Sequence, residues 1–332
     1  NKDAPPHYVL SIDNNKKVEN NTIAVGNNAI RDDVIRFNGS NIEFSGNTVT
    51  YQGSTFGWDY ETIYCGSGDN VKIYNNTFVV TGHEYSFMNA SGTDLAFYGN
   101  VVKTESGRGL VLYNDASGSI YNNTIISTSG DYGLHLTGSE VSIKNNNVVG
   151  FTTSIVNDNS AISFNINNNN TWDTSTPYSG TGLPPAIGSM IGENDNGTTA
   201  DIYNNISQDP LFVHADTGNY NLQASSALIN AGDAGDTDAD GSVADIGALY
   251  YHIYVAMTHT PLTSTNQITG NYEVNAAVTS TTGAAVTAAL SYTVNGGAVN
   301  EVAMSGPVSD VFTGNIPAQA LNSRVRYYMT GT

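Results

Sequence analysis

The sequence predicts an all-β protein in which a parallel β-helix is followed by a β-sandwich module. A short phrase built on Asn-Asn or Gly-Asn recurs along the first half of the chain, β-branched residues alternate around each copy, and turn residues separate the copies. Successive phrases are 26, 29, 24, 23, 23 and 23 residues apart, as counted on Asn21, Asn47, Asn76, Asn100, Asn123, Asn146 and Asn169. A repeat of this length indicates a β-solenoid with one coil per copy.

Each coil is predicted to contain three short strands joined by turns. One strand precedes the Asn phrase, as in Leu110–Tyr113, one carries it, as in Val71–Tyr74, and one leaves it, as in Thr77–Val80. Period-2 alternation puts alternate side chains on an inner face, and coil-on-coil stacking turns these into an aliphatic column. The single cysteine, Cys65, falls on that inner face and is interpreted as a buried small hydrophobe.

Two properties of asparagine explain why it recurs. Asparagine tolerates a left-handed backbone at a tight corner, and its amide can hydrogen-bond the same amide one coil above and below. We therefore predict an asparagine ladder that runs along the coils.

These repeated phrases and alternating strands resemble the right-handed parallel β-helix superfamily typified by pectate and pectin lyases. The resemblance covers about residues 8 to 250. The superfamily includes polysaccharide lyases, glycoside hydrolases, phage tailspikes and bacterial surface proteins. The resemblance therefore implies a right-handed helix and leaves the activity open.

The β-helix domain is predicted to span residues 1–250. A Gly-, Pro- and Ser-rich stretch, about residues 173–199, is interpreted as an inserted loop. Residues 209–250 are predicted to form an acidic cap over the last coil, covering an edge that otherwise recruits another strand. The run from Asp209-Pro-Leu-Phe212 to Ala244-Asp-Ile-Gly-Ala248 resembles the closing segment of secreted bacterial β-helix proteins called choice-of-anchor Q.

Residues 253–332 are predicted to form a separate β-sandwich. Tyr272–Val278, Ala289–Val294 and Arg324–Met329 alternate as strands, and Asn295–Gly297 is a hairpin turn. The segment resembles an Ig-like or fibronectin type III-like module. Because about 80 residues is short for such a module, we expect it to be incomplete, with the last strand supplied by a longer chain or by self-association.

The composition constrains the partners. Charged residues make up 12% of the chain and its net charge is −19, which repels nucleic acid and anionic membranes and attracts divalent cations. No stretch approaches the roughly 20 apolar residues that a membrane span needs. The chain opens on Asn1 rather than Met, and we expect it to be a mature or excised piece of a longer secreted protein, located extracellularly or at the cell surface.

An acidic turn in the predicted cap suggests a structural Ca²⁺ site. Alternate carboxylates followed by Gly241 can wrap a hard cation in oxygen, as in loops of the EF-hand type. Position twelve is Gly247 instead of Glu, so an EF-hand itself is excluded. The predicted ligands are Asp236, Asp238, Asp240 and Asp245.

Two sets of side chains are candidates for an outer groove. The outward positions of the strands before the Asn phrases are predicted to be Arg36, Tyr64, Met88, Val111, His135 and Val156. A denser set lies just upstream and contains Asp32, Asp33, Asp59, Glu61, His83, Glu84, Arg108 and Asp131. Since neighbouring coils are about 4.8 Å apart, members of this set are expected to approach one another.

Two mechanisms fit these residue types. In a polysaccharide lyase, Glu61 and Glu84 would hold a second Ca²⁺ at the groove, with Lys103, Arg108 or His83 as the base. In a glycoside hydrolase, Asp33 and Glu61 would be the two carboxylates. Substrate contacts are predicted for Arg36, Trp58, Tyr64 and His135. The competing interpretation is a solvated edge whose acids bind turn amides.

Three functions follow from these observations. The first is a secreted bacterial protein that recognises polysaccharide, either without cleavage or as a Ca²⁺-dependent lyase, which is favoured over a hydrolase. The second is a non-enzymatic structural or adhesive surface protein that forms filaments through its C-terminal module. The third is a phage tailspike, which an anchor-type cap argues against. Whether the protein is an enzyme stays open at this point.

Overall fold

The computed structural model describes residues 8–26, 33–53, 61–66, 68–82, 85–113, 116–137, 140–158, 165–252, 255–280 and 285–332. The chain divides into two compact units, Asn1–Tyr251 and His252–Thr332. Within the described ranges the regular structure is β-strand, apart from a single 3-10 turn at Ala215–Thr217. Among these residues no helix is long and apolar enough to cross a membrane.

Parallel strands make up the coiled part of the first unit. They are β1 (Leu10–Ile12), β2 (Lys17–Glu19), β3 (Thr22–Val25), β4 (Ile35–Phe37), β5 (Ile42–Ser45), β6 (Thr48–Gln52), β7 (Glu61–Cys65), β8 (Val71–Tyr74), β9 (Thr77–Thr81), β10 (Ser86–Ala90), β11 (Leu95–Tyr98), β12 (Val101–Tyr113), β13 (Ser117–Tyr121), β14 (Thr124–Thr137), β15 (Glu140–Lys144), β16 (Asn147–Asn157), β17 (Ile166–Asn167), β18 (Asn170–Trp172) and β19 (Thr176–Ser179). Two short antiparallel pairs follow, β20 (Gly192–Glu193) with β21 (Thr199–Ala200), and β22 (Phe212–His214) with β23 (Asn219–Leu222).

The pairing of these strands defines a parallel β-solenoid of about six turns over residues 10–179. One sheet contains β17-β15-β13-β11-β8-β5-β2 in spatial order, and the other contains β1-β4-β7-β10-β12-β14-β16-β18 together with β3, β6, β9 and β19. Residues one repeat apart lie in register, since Ile120 pairs with Phe97 on one side and with Ile143 on the other. The predicted parallel solenoid is therefore confirmed.

Some predicted strands are joined in the structure. The strand that leaves one Asn phrase continues into the strand before the next phrase in β12, β14 and β16. The corner is absorbed by a shift of register, between Gly107 and Leu110 in β12 and between Ile126 and Gly130 in β14. Gly107 has a φ of 78°, a left-handed conformation that glycine adopts at little cost.

The inner faces form the predicted aliphatic column. Its in-register members include Ile35, Ile63, Leu110, Leu134 and Ile155, each fully buried. Phenylalanine rings at positions 37, 44, 78, 87 and 97 contact one another in sequence through this core, with centroids 5.0 to 6.4 Å apart. Cys65 belongs to the same core, and burial raises the pKa of its thiol to about 12.

The asparagine ladder is present. Each ladder asparagine donates its backbone N–H and its side-chain Nδ2 to the Oδ1 of the next one, at 2.8 to 3.1 Å. The ladder extends one coil further than the predicted series, because Asn169 donates in the same way to Asn205. Asp201 receives the N–H of Asn205 at 3.0 Å and so ends the ladder on a buried carboxylate.

The two residues of each pair have different roles. The first residue has a left-handed φ of 50° to 64°, as at Asn75 and Asn122, and glycine replaces asparagine at Gly46 and Gly99. The second residue is always asparagine, because only its amide can donate and accept along the ladder. The two properties expected of one repeated asparagine are thus divided between two neighbouring residues.

The segment 173–199, predicted to be an inserted loop, contributes to the last coil. Strand β19 pairs in register with β16, with Tyr178 opposite Ile155. Tyr178, Leu183 and Ile187 pack against the end of the solenoid core. This segment therefore helps to cover the apolar end of the column. Leu222, Leu228 and Ile246 of the predicted cap, residues 209–250, form a further buried cluster with Ala200 and Ile206 beside the last coil.

Residues 209–250 return along the side of the coils. Tyr220 packs on Val101 and Ile126, and the Ala248 N–H donates to Thr124 Oγ1 at 3.0 Å. Asn145 is the centre of further contacts: its Oδ1 accepts the N–H of Asp233 at 2.8 Å, and its carbonyl accepts the N–H of Gly247 at 2.9 Å. The segment thus fastens three neighbouring coils laterally.

The second unit consists of two antiparallel sheets. One has the order β24 (Val255–His259), β25 (Tyr272–Ser280), β29 (Val311–Ile316), β28 (Ser305–Val308), and the other has the order β27 (Asn300–Ala303), β26 (Ala288–Val294), β30 (Val325–Gly331). Val274 from the first sheet and Leu290 from the second share one buried core. The hairpin turn after β26 is where it was predicted, with the Gly297 N–H donating to the Val294 carbonyl at 2.9 Å.

The ladder leads to a first prediction, which concerns Asn76→Ala. Asn76 makes hydrogen bonds to Asn100, Phe44 and Tyr74 and accepts two from Asn47, so the substitution leaves several buried groups without partners. Each such group costs about 1–3 kcal/mol. We expect the thermal midpoint of unfolding, measured by circular dichroism, to fall by about ten degrees.

The matched control is Asn75→Gly, one residue away. Asn75 is exposed and has a φ of 54°, and the same corner carries glycine in the coils on either side. We expect this substitution to leave the midpoint nearly unchanged. Equal losses in the two variants would show that the ladder amide is not what stabilises the coils.

Candidate functional site

The outer face of β4, β7, β10, β12 and β14 carries one row of the candidate site. The in-register outward residues are Arg36, Tyr64, Asn89, Val111 and His135, followed by Val156 on β16. The prediction that Met88 belongs to this row is wrong, because Met88 is in register with Ile63 and Leu110 and is fully buried. The strand turns inward at Phe87, which is also in the core, and this shifts the alternation by one residue.

A second row lies at the corner that precedes these strands. Glu61, Ser86 and Arg108 are in register on β7, β10 and β12. The Val34 N–H donates to the Glu61 carbonyl at 3.2 Å, so Asp33 lies beside Glu61 on the neighbouring coil. The two carboxylates predicted as a hydrolase pair are therefore on adjacent coils, with residue exposures of only 2% and 6%.

Arg36 is held by a carboxylate and by aromatic rings. Its Nε donates to Asp33 Oδ2 at 2.8 Å, and its terminal nitrogen lies 2.7 Å from the same oxygen. The guanidinium carbon is 4.9 Å from the Tyr64 ring centroid and 5.9 Å from that of Tyr8. Arg36 thus neutralises the charge of Asp33, and this ion pair holds the Arg36 side chain against the strand face.

Arg108 has a different environment. Its guanidinium carbon lies 5.6 Å from the centroid of Tyr85 and 5.5 Å from that of Tyr132, so the cation is held between two half-exposed rings. Within the described part of the chain Arg108 makes no ion pair. Cation–π contacts orient a guanidinium while leaving its N–H groups available to an acceptor.

Between these two arginines lies a polar group around Glu61. Asn89 Nδ2 donates to Glu61 Oε1, and the Asn89 Oδ1 is buried without a partner in the described chain. Tyr113 projects from β12 nearby, and burial, together with the neighbouring Tyr64, raises the pKa of its hydroxyl to about 12. The Tyr113 hydroxyl therefore stays protonated, as a hydrogen-bond donor, at any physiological pH.

His135 closes the row. Its Nε2 is 2.9 Å from Asp158 Oδ2, and its ring centroid is 5.1 Å from that of Tyr132. The other ring nitrogen, Nδ1, is buried and has no partner among the described residues. His135 is thus fixed against Asp158 and Tyr132 at the end of the row.

Several predicted site residues lie elsewhere or outside the description. Lys103 is on the first half of β12, in register with Val79 and Ile126, and five residues before Arg108 with the corner between them. His83, Glu84 and Trp58 lie outside the described residues, as do Asp32 and Asp59. The predicted second Ca²⁺ ligand pair is therefore represented by Glu61 alone.

Two members of the site had not been predicted. Asn89 was missed because the alternation was counted through Met88, although its polar side chain beside a buried run was an available signal. Asp158 lies one residue after β16, and only the coil-to-coil alignment of His135 with Val156 brings it near. Tyr85 and Tyr132 enclose Arg108.

The acidic turn of residues 236–245 lies on the returning segment. Asp236 is 2.7 Å from Lys144 Nζ, and Asp240 accepts the Ser242 hydroxyl at 2.6 Å. Asp238 Oδ2 accepts the Asp245 N–H at 2.9 Å, and Asp245 accepts the N–H groups of Asn230 and Tyr251. No group of three or more His, Cys, Asp or Glu side chains is arranged to hold a metal ion in the ranges that the structure describes.

Asp238 and Asp245 nevertheless form an unfavourable pair. Burial, together with the charge of Asp245, raises the pKa of Asp238 to about 6, and burial raises the pKa of Asp245 as well. Two partly buried carboxylates thus lie side by side, while Asp236 and Asp240 are engaged by Lys144 and Ser242. Both carboxylates already accept backbone N–H groups, so a cation at this turn would share their oxygens with those donors.

The protein is a parallel β-solenoid with a strip of cationic and aromatic residues along one outer face. The strip consists of Arg36, Tyr64, Tyr85, Arg108, Tyr132 and His135. Comparison with family models, with curated proteins and with solved structures found no match.

The carboxylate pair leads to a second prediction, for Asp238→Asn in the presence of a chelator. A raised pKa in the folded state means that Asp238 adds stability below its ordinary value of 3.8, and this contribution is lost as the pH rises to about 6. The amide keeps an acceptor for the Asp245 N–H but carries no charge. We expect the variant to be more stable than the original protein above pH 6, with the difference vanishing below about pH 4.

The measurement is the thermal midpoint as a function of pH. Asp216→Asn, at an exposed aspartate of the same segment, is the control and should leave the profile unchanged. Parallel profiles for Asp238→Asn and the original protein would contradict the assignment.

Proposed function

We propose that the protein recognises an acidic polysaccharide along the outer face formed by Arg36, Tyr64, Arg108, Tyr132 and His135. The observation that carries this proposal is the Arg108 guanidinium, which lies between two tyrosine rings without an ion-pair partner in the described chain. A guanidinium fork donates two parallel hydrogen bonds to a carboxylate, and the rings beside it stack on apolar sugar faces. A uronate residue offers both groups.

The negative charge of the chain limits where on this face an acidic polysaccharide can bind. With a net charge of −19, the protein repels polyanions at long range, so that an acidic polymer has to be attracted locally. Arg36 neutralises Asp33, and Asn89 donates to Glu61, which limits the repulsion from the two acidic side chains on the same face. The strip beside Arg108 is thereby the part of this face that suits a carboxylate.

The finer description of the fold belongs to the same proposal. We place the solenoid in the right-handed pectate-lyase-like superfamily with three strands per coil, and the second unit among Ig-like or fibronectin type III-like modules. Crossover connections between parallel strands of one sheet are right-handed in about 98% of cases, which supports a right-handed solenoid. An extracellular or cell-surface location is part of this proposal.

Binding is the activity that the described residues support best. Of the candidate groups for cleavage, Asp33 contacts Arg36, Glu61 contacts Asn89, and His135 contacts Asp158. A lyase step depends on His83 and Glu84, which lie outside the described residues, with Lys103 or Arg108. Incubation with pectate, alginate or glycosaminoglycans in the presence of Ca²⁺ tests this step, since elimination yields an unsaturated product that absorbs ultraviolet light.

The structural Ca²⁺ in the turn of residues 236–245 is also a proposal. The support for it is the raised pKa of the adjacent Asp238 and Asp245, whose repulsion a bound cation relieves. Added Ca²⁺ should raise the thermal midpoint of the original protein and should raise that of Asp238→Asn by much less. A midpoint that is the same in Ca²⁺ and in EGTA would refute the site.

The third prediction concerns Arg108→Ala and the binding of oligogalacturonate, oligoalginate and glycosaminoglycan fragments. Removing a charged hydrogen-bond donor costs about 1.5–3 kcal/mol, which corresponds to a loss of roughly ten- to a hundredfold in affinity by calorimetry. Arg108→Lys should recover only part of the affinity, because lysine keeps the charge but not the planar fork.

Arg326→Ala is the control, since Arg326 is an exposed arginine of the second unit. It should bind as the original protein does. If no acidic fragment binds the original protein, or if Arg108→Ala binds as tightly, the proposed function is wrong.

A second candidate function is a structural or adhesive surface protein that associates through the second unit. The observation in its favour is that the edge strands of both sheets expose apolar side chains, with Val308 on β28 exposed by 78% and Tyr328 on β30 by 55%. Exposed apolar edge strands promote edge-to-edge pairing. Sedimentation should then show concentration-dependent assembly that Val308→Lys abolishes, whereas a monomer at all concentrations would remove this candidate.

A further inference from the structure

An open cleft lies where three successive coils turn the same corner. It has a volume of about 540 Å³ and is formed by residues 128–130, 150–152 and 172–175, with Pro177 and Ser207 at its margin. Small-molecule sites typically have volumes of about 300–1,000 Å³. None of the predicted site residues contributes to this cleft.

An indole ring forms the apolar part of the cleft. Trp172 ends β18, in register with Val149, and is 36% exposed. Asp173 follows with a left-handed φ of 51°, which turns the chain away directly after the ring. On the neighbouring coil Gly150, which also lines the cleft, has a φ of 78°, and a Cβ there would meet the Ser127 carbonyl, so this corner requires glycine.

Hydrogen-bond acceptors make up the polar part. Ser129 Oγ donates to the Glu105 carbonyl at 2.8 Å, and Thr174 Oγ1 donates to the Thr152 carbonyl at 3.2 Å. With their protons engaged, these hydroxyl oxygens face the cleft as acceptors. Asp173 adds a carboxylate and is the only charged side chain among the described residues that line the cleft.

This chemistry differs from that around Arg108. A surface of acceptors beside an aromatic ring suits a ligand that presents hydroxyl donors and an apolar face, which describes a neutral pyranose. An acidic sugar is disfavoured because the lining contains a carboxylate and no basic side chain. A neutral sugar therefore satisfies the cleft best.

The cleft also adjoins the proposed polysaccharide site. Gly130 lines the cleft, and Tyr132, which packs on Arg108, lies two residues further along β14. Trp172 on β18 and Arg108 on β12 are separated by three strand spacings, about 14 Å along the solenoid. An oligosaccharide of several residues can therefore contact Trp172 with one residue and Arg108 with another.

We propose that the Trp172 cleft binds a neutral sugar residue, so that the ligand is a heteropolysaccharide containing both neutral and uronate residues. The neutral ring stacks on the indole, and its hydroxyls donate to Asp173 and to the serine and threonine oxygens. This inference rests on the proposed function for the uronate part, whereas the neutral part stands on the cleft alone.

Tryptophan fluorescence tests the cleft directly. The chain contains two tryptophans, so Trp58→Phe leaves Trp172 as the only emitter. Titration with xylopentaose, mannopentaose and galactopentaose should shift the emission in at least one case. In the original protein, Trp172→Ala should weaken the binding of that sugar by about tenfold or more, as expected when the apolar contact area of one ring is lost.

Three variants separate this site from the one around Arg108. Trp172→Tyr, which keeps an aromatic face, should recover much of the binding, and the thermal midpoints of both Trp172 variants distinguish a loss of binding from a loss of folding. Arg108→Ala should bind the neutral sugar unchanged and lose the uronate. A mixed oligosaccharide of arabinoxylan type bearing glucuronate should bind more tightly than either pure series.

The outcomes distinguish the two proposals. If oligogalacturonate binds through Arg108 but no neutral pentasaccharide changes the Trp172 emission, the cleft proposal fails alone. If a neutral sugar binds through Trp172 but no acidic fragment binds, the proposal for the cleft is supported and the proposal of an acidic ligand is wrong. Neutral binding that survives Trp172→Ala, or equal binding of pure uronate in the cleft, overturns the assignment of a neutral sugar to Trp172.

Discussion

The hydrogen bonds that pass from one asparagine side chain to the next set the geometry of the first unit. Each ladder asparagine fixes both the spacing and the lateral position of its neighbour, because it donates through backbone and side chain to a single oxygen. The left-handed residue before it makes the corner possible without affecting the ladder. Coils of 23 to 29 residues therefore stack in register even though their other corners differ in length.

This alignment also determines where function can reside. Once successive coils lie in register, one outward position per coil becomes a continuous row, and residues that are far apart in sequence become neighbours. The pairing of Arg108 with Tyr85 and Tyr132 arises in this way, from three different coils. The returning segment covers the face around Val101, Ile126 and Val149 with Tyr220. Trp172, in register with Val149, ends this row and stays 36% exposed, whereas Arg108 follows the corner within β12.

How much the sequence predicted depends on the range of the interaction. The ladder, the aliphatic column and the buried Cys65 follow from a repeat and a local alternation, and both are visible in the residues. Met88 was misplaced because alternation fails where a strand turns inward, at Phe87, and only packing decides that point. Strand β19 was missed because its sequence, Thr-Pro-Tyr-Ser, has the composition of a turn, while its partner Ile155 holds it in register.

The candidate site shows the same limit more strongly. Its residue types were recognisable, but the distinction between a neutralised and an available cation depends on contacts made across coils. Arg36 and Arg108 look alike in sequence, yet a carboxylate three residues away engages Arg36, whereas the described neighbours of Arg108 are aromatic rings. In a chain this acidic, a cation without a carboxylate partner keeps its attraction for an external anion. The binding proposal therefore depends on Arg108 rather than on the number of charged residues along the face.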